Sequence, residues 1–149
     1  MNKFEWDRLS HLQLGRYAEY FVKMEFTLAG FDVYTPEVDD KGIDFIIRKD
    51  EDNYYDIQVK SVRKSTYIFL PKNKFNIRKN LLAAIVIFPE GRRPKIYLIP
   101  STAWSNPDSL LVGHDYDGKK SKPEWGLNLS KKNLPLLTQF KFSKVVRGL

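Results

Sequence analysis

The chain has 149 residues, a net charge of +7 and no cysteine, which excludes disulfides and zinc sites built on thiolates. Its longest apolar run, Leu81–Phe88, is far shorter than the roughly 20 residues that a membrane helix needs. Residues 1–10 also lack the apolar stretch of a secretory signal. We therefore expect a single domain over residues 1–149, in the cytoplasm and without a membrane partner.

The charge is distributed unevenly along the chain. Residues 1–60 contain 8 Lys or Arg and 13 Asp or Glu, whereas residues 61–149 contain 17 and 5. An acidic half that can hold cations thus adjoins a basic half that can hold phosphates. The alternative is that both halves are simply solvated surfaces with different charge.

A long amphipathic helix is predicted first, from Asp7 to Ala29. One apolar stripe recurs at spacings of three and four: Leu14, Tyr17, Phe21, Met24 and Leu28. A second apolar strip, which includes Glu19, runs along the opposite side: Leu12, Val22 and Phe26. A helix that is apolar on two sides is expected to pack between two layers of the fold, or between the fold and a partner.

Strands are predicted to follow, bounded by turn residues. Their predicted ranges are Phe31–Thr35, Ile43–Arg48, Tyr54–Val62, Tyr67–Leu70, Leu81–Phe88 and Lys95–Ile99. The basic segment Lys72–Asn80 is either a short helix or an ordered loop. Ser101 is expected to cap a helical turn, Ser105–Asn128 to be a long surface loop, and Leu134–Phe140 to be a short closing helix.

Polar residues on the third predicted strand suggest chemistry. Alternation along a strand places Gln58 and Lys60 on one face, and a hairpin brings Asp44 beside them. A carboxylate, an amide oxygen and an ammonium then converge on one point. Hard oxygen ligands hold Mg²⁺, and a nearby lysine stabilises developing negative charge, which together suit phosphodiester hydrolysis.

The motif Gly42-Ile43-Asp44, thirteen residues, then Gln58-Val59-Lys60 resembles the D…(E/Q)-x-K signature of the PD-(D/E)XK nuclease superfamily. The resemblance spans about residues 10–65. The Gly-x-Asp form is similar to that of Holliday junction resolvases, and the Gln-x-Lys form in so short a chain resembles an intron-encoded homing endonuclease. It implies an α/β (α+β) restriction-endonuclease-like core, with a central mixed β-sheet flanked by helices.

The resemblance also implies a function. Glu19 matches the acidic residue that the first helix commonly contributes, so the expected catalytic set is Glu19, Asp44, Gln58 and Lys60, with Glu19, Asp44 and Gln58 holding the metal. The expected activity is a Mg²⁺-dependent DNA endonuclease, with Mn²⁺ as a substitute ion, of homing, restriction or junction-resolving type. Because such nucleases carry one site per chain, cutting both strands of double-stranded DNA implies a homodimer or homotetramer.

Basic residues outside the motif are the candidate DNA contacts. We expect the catalytic core to span about residues 10–100, with basic DNA-contacting loops and a C-terminal extension over about 101–149. Those that follow the motif strand are Arg63, Lys64, Lys72, Lys74, Arg78 and Lys79. Those in later turns and loops are Arg92, Arg93, Lys119, Lys120 and Lys122. Any one of them is equally explained by simple solvation.

Alternatives to catalysis remain open at this stage. Gln58 stands where the superfamily usually has a carboxylate, and an amide oxygen neutralises none of the metal charge. A catalytically inactive, nuclease-fold protein that binds nucleic acid or regulates a partner is therefore the alternative, and an RNA nuclease is a third. Individually, Glu19 is also explained by an ion pair with Lys23 four residues on.

Overall fold

The computed structural model describes residues 2–149, and its longest helix is α1, His11–Leu28. The Ser10 hydroxyl accepts a hydrogen bond from the Gln13 amide at 3.2 Å, and the Gln13 side chain accepts one from the Ser10 amide at 2.8 Å. This reciprocal capping fixes where the helix begins. The predicted start at Asp7 was wrong, because a separate 3-10 turn, Trp6–Arg8, precedes the cap. No helix within residues 2–149 combines the length and apolar character needed to cross a bilayer.

The buried face of α1 differs from the predicted stripe. Met24 is 60% exposed and Leu28 is 84% exposed, so the prediction was wrong for these two members of the stripe. Ala18 lies at the centre of the true face, where a methyl group lets the helix approach the sheet closely, and the larger Tyr17 lies at its margin. The buried residues recur at every fourth position: Leu14, Ala18, Val22 and Phe26.

Five strands form the central sheet, and two of them run parallel. Their bounds are β1 Asp32–Tyr34, β2 Phe45–Arg48, β3 Tyr54–Val62, β5 Leu81–Ile87 and β6 Lys95–Pro100. The order is β1-β2-β3-β5-β6, with β3 and β5 parallel and the other neighbours antiparallel. The predicted α/β class with a central mixed sheet flanked by helices is confirmed.

A second sheet covers one face of the first. It contains β4 Tyr67–Pro71, β7 Leu111–His114 and β8 Glu124–Asn128, in the antiparallel order β4-β8-β7. The predicted surface loop over Ser105–Asn128 was therefore wrong. Each of these strands is short and buries only one face, so the apolar alternation spans too few residues to stand out from the surrounding Gly, Pro and Lys.

The central sheet lies between two hydrophobic cores. One core joins α1 to the sheet and includes Phe26, Phe45 and Ile57. The other lies between the two sheets and includes Ile85 and Leu127. Strand β3 contributes to both, because its successive side chains point to opposite faces.

The C-terminal segment completes both cores. Helix α2, Leu134–Leu137, continues as a 3-10 turn to Phe140, so the predicted closing helix exists but is only partly α-helical. Helix α3, Phe142–Val145, was not predicted, and its Phe142 ring packs edge-on against Phe26 with a centroid distance of 5.0 Å. Residues beyond 100 thus contact both faces of the central sheet.

Ser10→Ala should test whether the cap holds the helix that carries Glu19. Loss of the side-chain acceptor is expected to lower the free energy of unfolding by about 1 kcal/mol, measured by urea denaturation. Ser121→Ala, at an exposed position between β7 and β8, is the matched control and should leave stability within about 0.5 kcal/mol of the wild type. Equal effects of the two substitutions would contradict the structural role of the cap.

Candidate active site

The candidate site begins at the turn before β2. Gly42 has a φ of 76°, a conformation that favours glycine, and a Cβ there would lie 3.2 Å from the Lys74 backbone oxygen. This turn leads to Asp44, whose amide donates a hydrogen bond to the Ile57 carbonyl at 2.9 Å. The β2–β3 ladder therefore extends to the acid of the motif.

Asp44 lies next to the Gln58–Val59 segment of β3. Phe45 pairs with Ile57, and the Asp44 amide donates a hydrogen bond to the same Ile57, so Asp44 is one residue out of the regular register. The Asp44 Oδ2 atom also accepts a hydrogen bond from the Val59 amide at 2.7 Å, which holds the carboxylate beside Gln58.

Gln58 is the least satisfied polar group of the site. Its side chain is only 6% exposed, and its Oε1 atom has no hydrogen-bond partner among the described residues. An unpaired buried acceptor of this kind costs about 1–3 kcal/mol. A bound cation would satisfy it.

Lys60 follows on the same face of β3 and borders a cleft of about 390 Å³. We call this the Lys60 cleft; it lies between the start of α1 and strand β4, and its lining includes His11, Lys60, Ser61, Arg63, Tyr67 and Phe69. Lys60 is half-buried, and its positive charge is near enough to Asp44 to lower the pKa of that carboxyl.

Glu19 approaches the site from α1. It follows the buried Ala18, and its Oε2 atom accepts a hydrogen bond from Arg16 at 3.0 Å. The alternative pairing with Lys23 was wrong, because the Lys23 ammonium donates to the Thr35 hydroxyl at 3.0 Å. The Glu19 charge is near enough to Asp44 to raise its pKa, so both predicted carboxylates lie in one neighbourhood.

Burial dominates the electrostatics of Asp44. Burial raises the pKa of Asp44 from 3.8 to about 6, and the neighbouring carboxylates of Glu19 and Asp39 add to the increase. The Val59 amide and the Lys60 ammonium act in the opposite direction but do not cancel it. Any cation bound beside Asp44 would lower that pKa again.

The candidate donor set consists of two carboxylates and one amide. Among residues 2–149, no group of three or more His, Cys, Asp or Glu side chains is placed to hold a metal. Oxygen donors from Glu19, Asp44 and Gln58 nevertheless match the ligands that Mg²⁺ and Mn²⁺ prefer. The unpartnered amide oxygen of Gln58 is an independent sign that the residues fit such an ion.

Asp56, two residues before Gln58 on the same strand face, is committed to another partner. Its carboxylate forms an ion pair with Arg78 at 2.6 Å, and its amide donates to the Asn80 carbonyl at 2.7 Å. The Ser101 hydroxyl accepts from the Arg78 amide and donates to the Arg78 carbonyl, at 2.9 and 2.7 Å. Ser101 therefore holds this loop in place, and its hydroxyl does not cap the turn after it.

Several predicted DNA contacts have partners within the protein. Arg63 donates to the carbonyls of Trp6 and Leu9, at 2.5 and 2.9 Å, and so ties the N-terminal turn to β3. The remaining members of this group have the following partners: Lys64 with Asp7, Lys72 with Asp115 and the Trp125 ring, Lys74 with the Asp40 carbonyl, and Arg78 with Asp56.

The other predicted DNA contacts are exposed, and most of them lie at hairpin tips. Arg92 and Arg93 lie in the turn between β5 and β6, and three lysines lie between β7 and β8: Lys119, Lys120 and Lys122. Lys79 is exposed just before β5. Lys41 was not predicted, although it lines a cleft with Lys74 and Arg78. Lys41 could have been included among the candidate DNA contacts because it directly precedes Gly42 of the motif.

The fold is similar to that of two solved nucleases, in agreement with the fold expected from the motif. Hjc, a Holliday junction resolvase from Archaeoglobus fulgidus, superposes with a TM-score of 0.59 at 15% identity over 89% of this chain and 95% of its own. A bacterial homing endonuclease superposes with a TM-score of 0.56 at 15% identity over 93% of each chain. Comparison with family profiles and with curated proteins found no match.

Asp44→Asn should stabilise the metal-free protein at neutral pH. The folded pKa of about 6 lies above the unfolded value of 3.8, so ionisation of Asp44 removes stability as pH rises from about 4 to above 6. The substitution is expected to raise the free energy of unfolding by on the order of 2 kcal/mol at pH 7, and by far less below pH 4. Urea denaturation in EDTA at both pH values measures the difference.

Asp50→Asn is the control, for which the free energy of unfolding at pH 7 should change in the opposite direction. Hydrogen bonds from Asn53 and from the Asp52 amide lower the pKa of Asp50, so its ionised form stabilises the fold and its amide variant should lose stability at pH 7. An Asp44→Asn protein that is no more stable than the wild type at pH 7 would contradict the burial of an uncompensated charge.

Proposed function

We propose that this protein is a metal-dependent DNA endonuclease that hydrolyses phosphodiester bonds, of homing, restriction or junction-resolving type. The observation that carries the proposal is the buried Oε1 atom of Gln58, which has no hydrogen-bond partner among the described residues. The nearby Asp44 supports it, because burial raises the pKa of that carboxyl. Without a bound ion, each of these two features lowers the free energy of unfolding. Both are expected of side chains that bind a cation.

Glu19, Asp44 and Gln58 would hold Mg²⁺, with Mn²⁺ as a substitute. When bound, such an ion polarises a phosphoryl oxygen and lowers the pKa of an attacking water. The protein's own contribution begins with the Val59 amide, which orients the Asp44 carboxylate before any ligand arrives. Preorganisation of this kind means that little reorientation is needed during reaction.

Lys60 supplies the positive charge of the site. It lies on the same face of β3 as Gln58, half-buried at the edge of its cleft. A partly desolvated ammonium interacts with phosphate more strongly than an exposed one. We assign it the role of stabilising the negative charge that develops on the phosphorus substituents, or of orienting the attacking water.

Double-stranded DNA is the proposed substrate, since the charge of residues 61–149 is strongly positive. The Arg92-Arg93 tip and the lysine-bearing β7–β8 tip are exposed and able to reach a backbone or a groove. Because each chain has one such site, cleavage of both strands would need a homodimer or homotetramer.

Plasmid nicking in Mg²⁺ or Mn²⁺ at fixed low salt tests the proposal. Asp44→Asn and Lys60→Ala are each expected to lower the cleavage rate by at least about 10²-fold while DNA binding persists, because the first weakens a metal ligand and the second removes the positive charge beside the reacting phosphate. Asp50→Asn and Lys95→Ala change the same residue types away from the site and should cut normally. Equal losses in site and control variants would contradict the assignment.

A catalytically inactive, nuclease-fold DNA-binding protein is the second candidate. It is favoured by one observation, that the amide of Gln58 adds no negative charge to the site. Under this alternative the wild type shifts plasmid without cutting it, and neither Mg²⁺ nor Mn²⁺ raises its melting temperature.

Gln58→Glu should separate the two candidates further. A third carboxylate near Asp44 adds like-charge repulsion without metal, so the metal-free variant should melt at a lower temperature than the wild type. With Mn²⁺ its gain in melting temperature should be larger, because an anionic ligand binds the ion more tightly and binding stabilises by mass action. Melting curves in EDTA and across an Mn²⁺ titration measure both. The absence of any metal effect in both proteins would favour the inactive candidate.

A further inference from the structure

The Lys60 cleft adjoins the candidate metal site and is larger than a metal ion needs. Its volume of about 390 Å³ lies within the range of small-ligand pockets, and it opens between the start of α1 and strand β4. Lys60 forms part of its lining, so any group held there lies directly beside the proposed scissile phosphate.

The charge of the cleft suits an anion. It contains Lys60 and Arg63 and, among the described residues that line it, no acidic side chain. Four other surface clefts each include an acid: Glu25, Asp40, Glu51 and again Asp40. A cleft with cations and no carboxylate favours ligands that carry phosphate.

An exposed aromatic residue borders the cleft on strand β4. Phe69 is 53% exposed although it lies in the middle of β4, and Tyr67 lies two residues earlier on the same face of that strand. Aromatic rings of this kind stack on nucleobases without regard to sequence, because every base presents a π-face. Ser61 and His11 add hydrogen-bonding groups nearby.

Strand β4 is tied to β8 at Tyr67, two residues before Phe69. The Tyr67 hydroxyl donates to the Glu124 carboxylate at 2.5 Å, and its ring lies over Gly126, where a Cβ would be 2.7 Å from the ring atom Cε1. Burial and the Glu124 carboxylate raise the pKa of Tyr67, so the donor stays protonated at neutral pH. Such a surface loses little conformational freedom when a ligand binds.

We infer that the Lys60 cleft receives an unpaired nucleotide adjacent to the cleaved phosphate, with its base stacked on Phe69. The inference rests on the proposed DNA endonuclease function and specifies its substrate class. The preferred DNA contains an unpaired base, as in a bulge, a flap or a branch. A fully paired duplex leaves Phe69 without a ligand.

Binding in EDTA tests the inference without requiring cleavage. Fluorescence anisotropy compares a perfect duplex with the same duplex containing one unpaired 2-aminopurine. The wild type should bind the bulged DNA roughly 5- to 100-fold more tightly, in line with the stacking of one base on an aromatic side chain, and should quench the 2-aminopurine. Phe69→Ala should bring the ratio of the two affinities close to one, and Phe69→Trp should preserve it.

Tyr34→Ala is the matched control, because Tyr34 is 51% exposed but lies on the edge strand β1, away from the cleft. It should retain the preference and the quenching. Equal affinities of the wild type for both DNAs, or equal effects of Phe69→Ala and Tyr34→Ala, would overturn the inference. A preserved bulge preference in a protein that never nicks DNA would instead refute the proposed activity and leave the cleft assignment standing.

Discussion

Polar side chains buried in the middle of β3 set the main constraint on this structure. The strand lies between two cores, so Asp56 and Gln58 cannot reach bulk water and each requires a partner. Asp56 obtains one from Arg78, whereas the Gln58 Oε1 atom has none among residues 2–149. The Val59 amide holds the Asp44 carboxylate next to the same segment of the strand. Strand β3 therefore contributes both to the stability of the fold and to the candidate active site.

The central part of the fold could be predicted because local signals there are strong. Strand β3 alternates over nine residues, and its predicted bounds, Tyr54–Val62, match the structure. The motif spacing then required only that β2 and β3 form a hairpin, which brings Asp44 to the Gln58–Val59 segment. That Glu19, Asp44, Gln58 and Lys60 act as a catalytic set stays a prediction.

Features that depend on distant partners could not be predicted. Arg78 follows Asp56 by 22 positions and meets it only because β3 and β5 are parallel neighbours. The strands β7 and β8 gain their apolar face only once they cover the central sheet. The buried face of α1 was similarly decided by close approach of Ala18 to the sheet, and hydrophobicity alone favoured the larger side chains beside it.

The ion pair between Asp56 and Arg78 has a consequence for how the protein can evolve or be redesigned. It attaches the basic segment before β5 to the same strand that carries Gln58 and Lys60, and the Ser101 hydroxyl attaches that segment to the end of β6. A change in the position of that segment therefore affects the position of the motif strand as well. A new recognition segment inserted between β4 and β5 would need an arginine in place of Arg78 that pairs with Asp56 and bonds to Ser101. Without these contacts, Asp56 would lose its partner and β3 would be expected to shift beneath the candidate site.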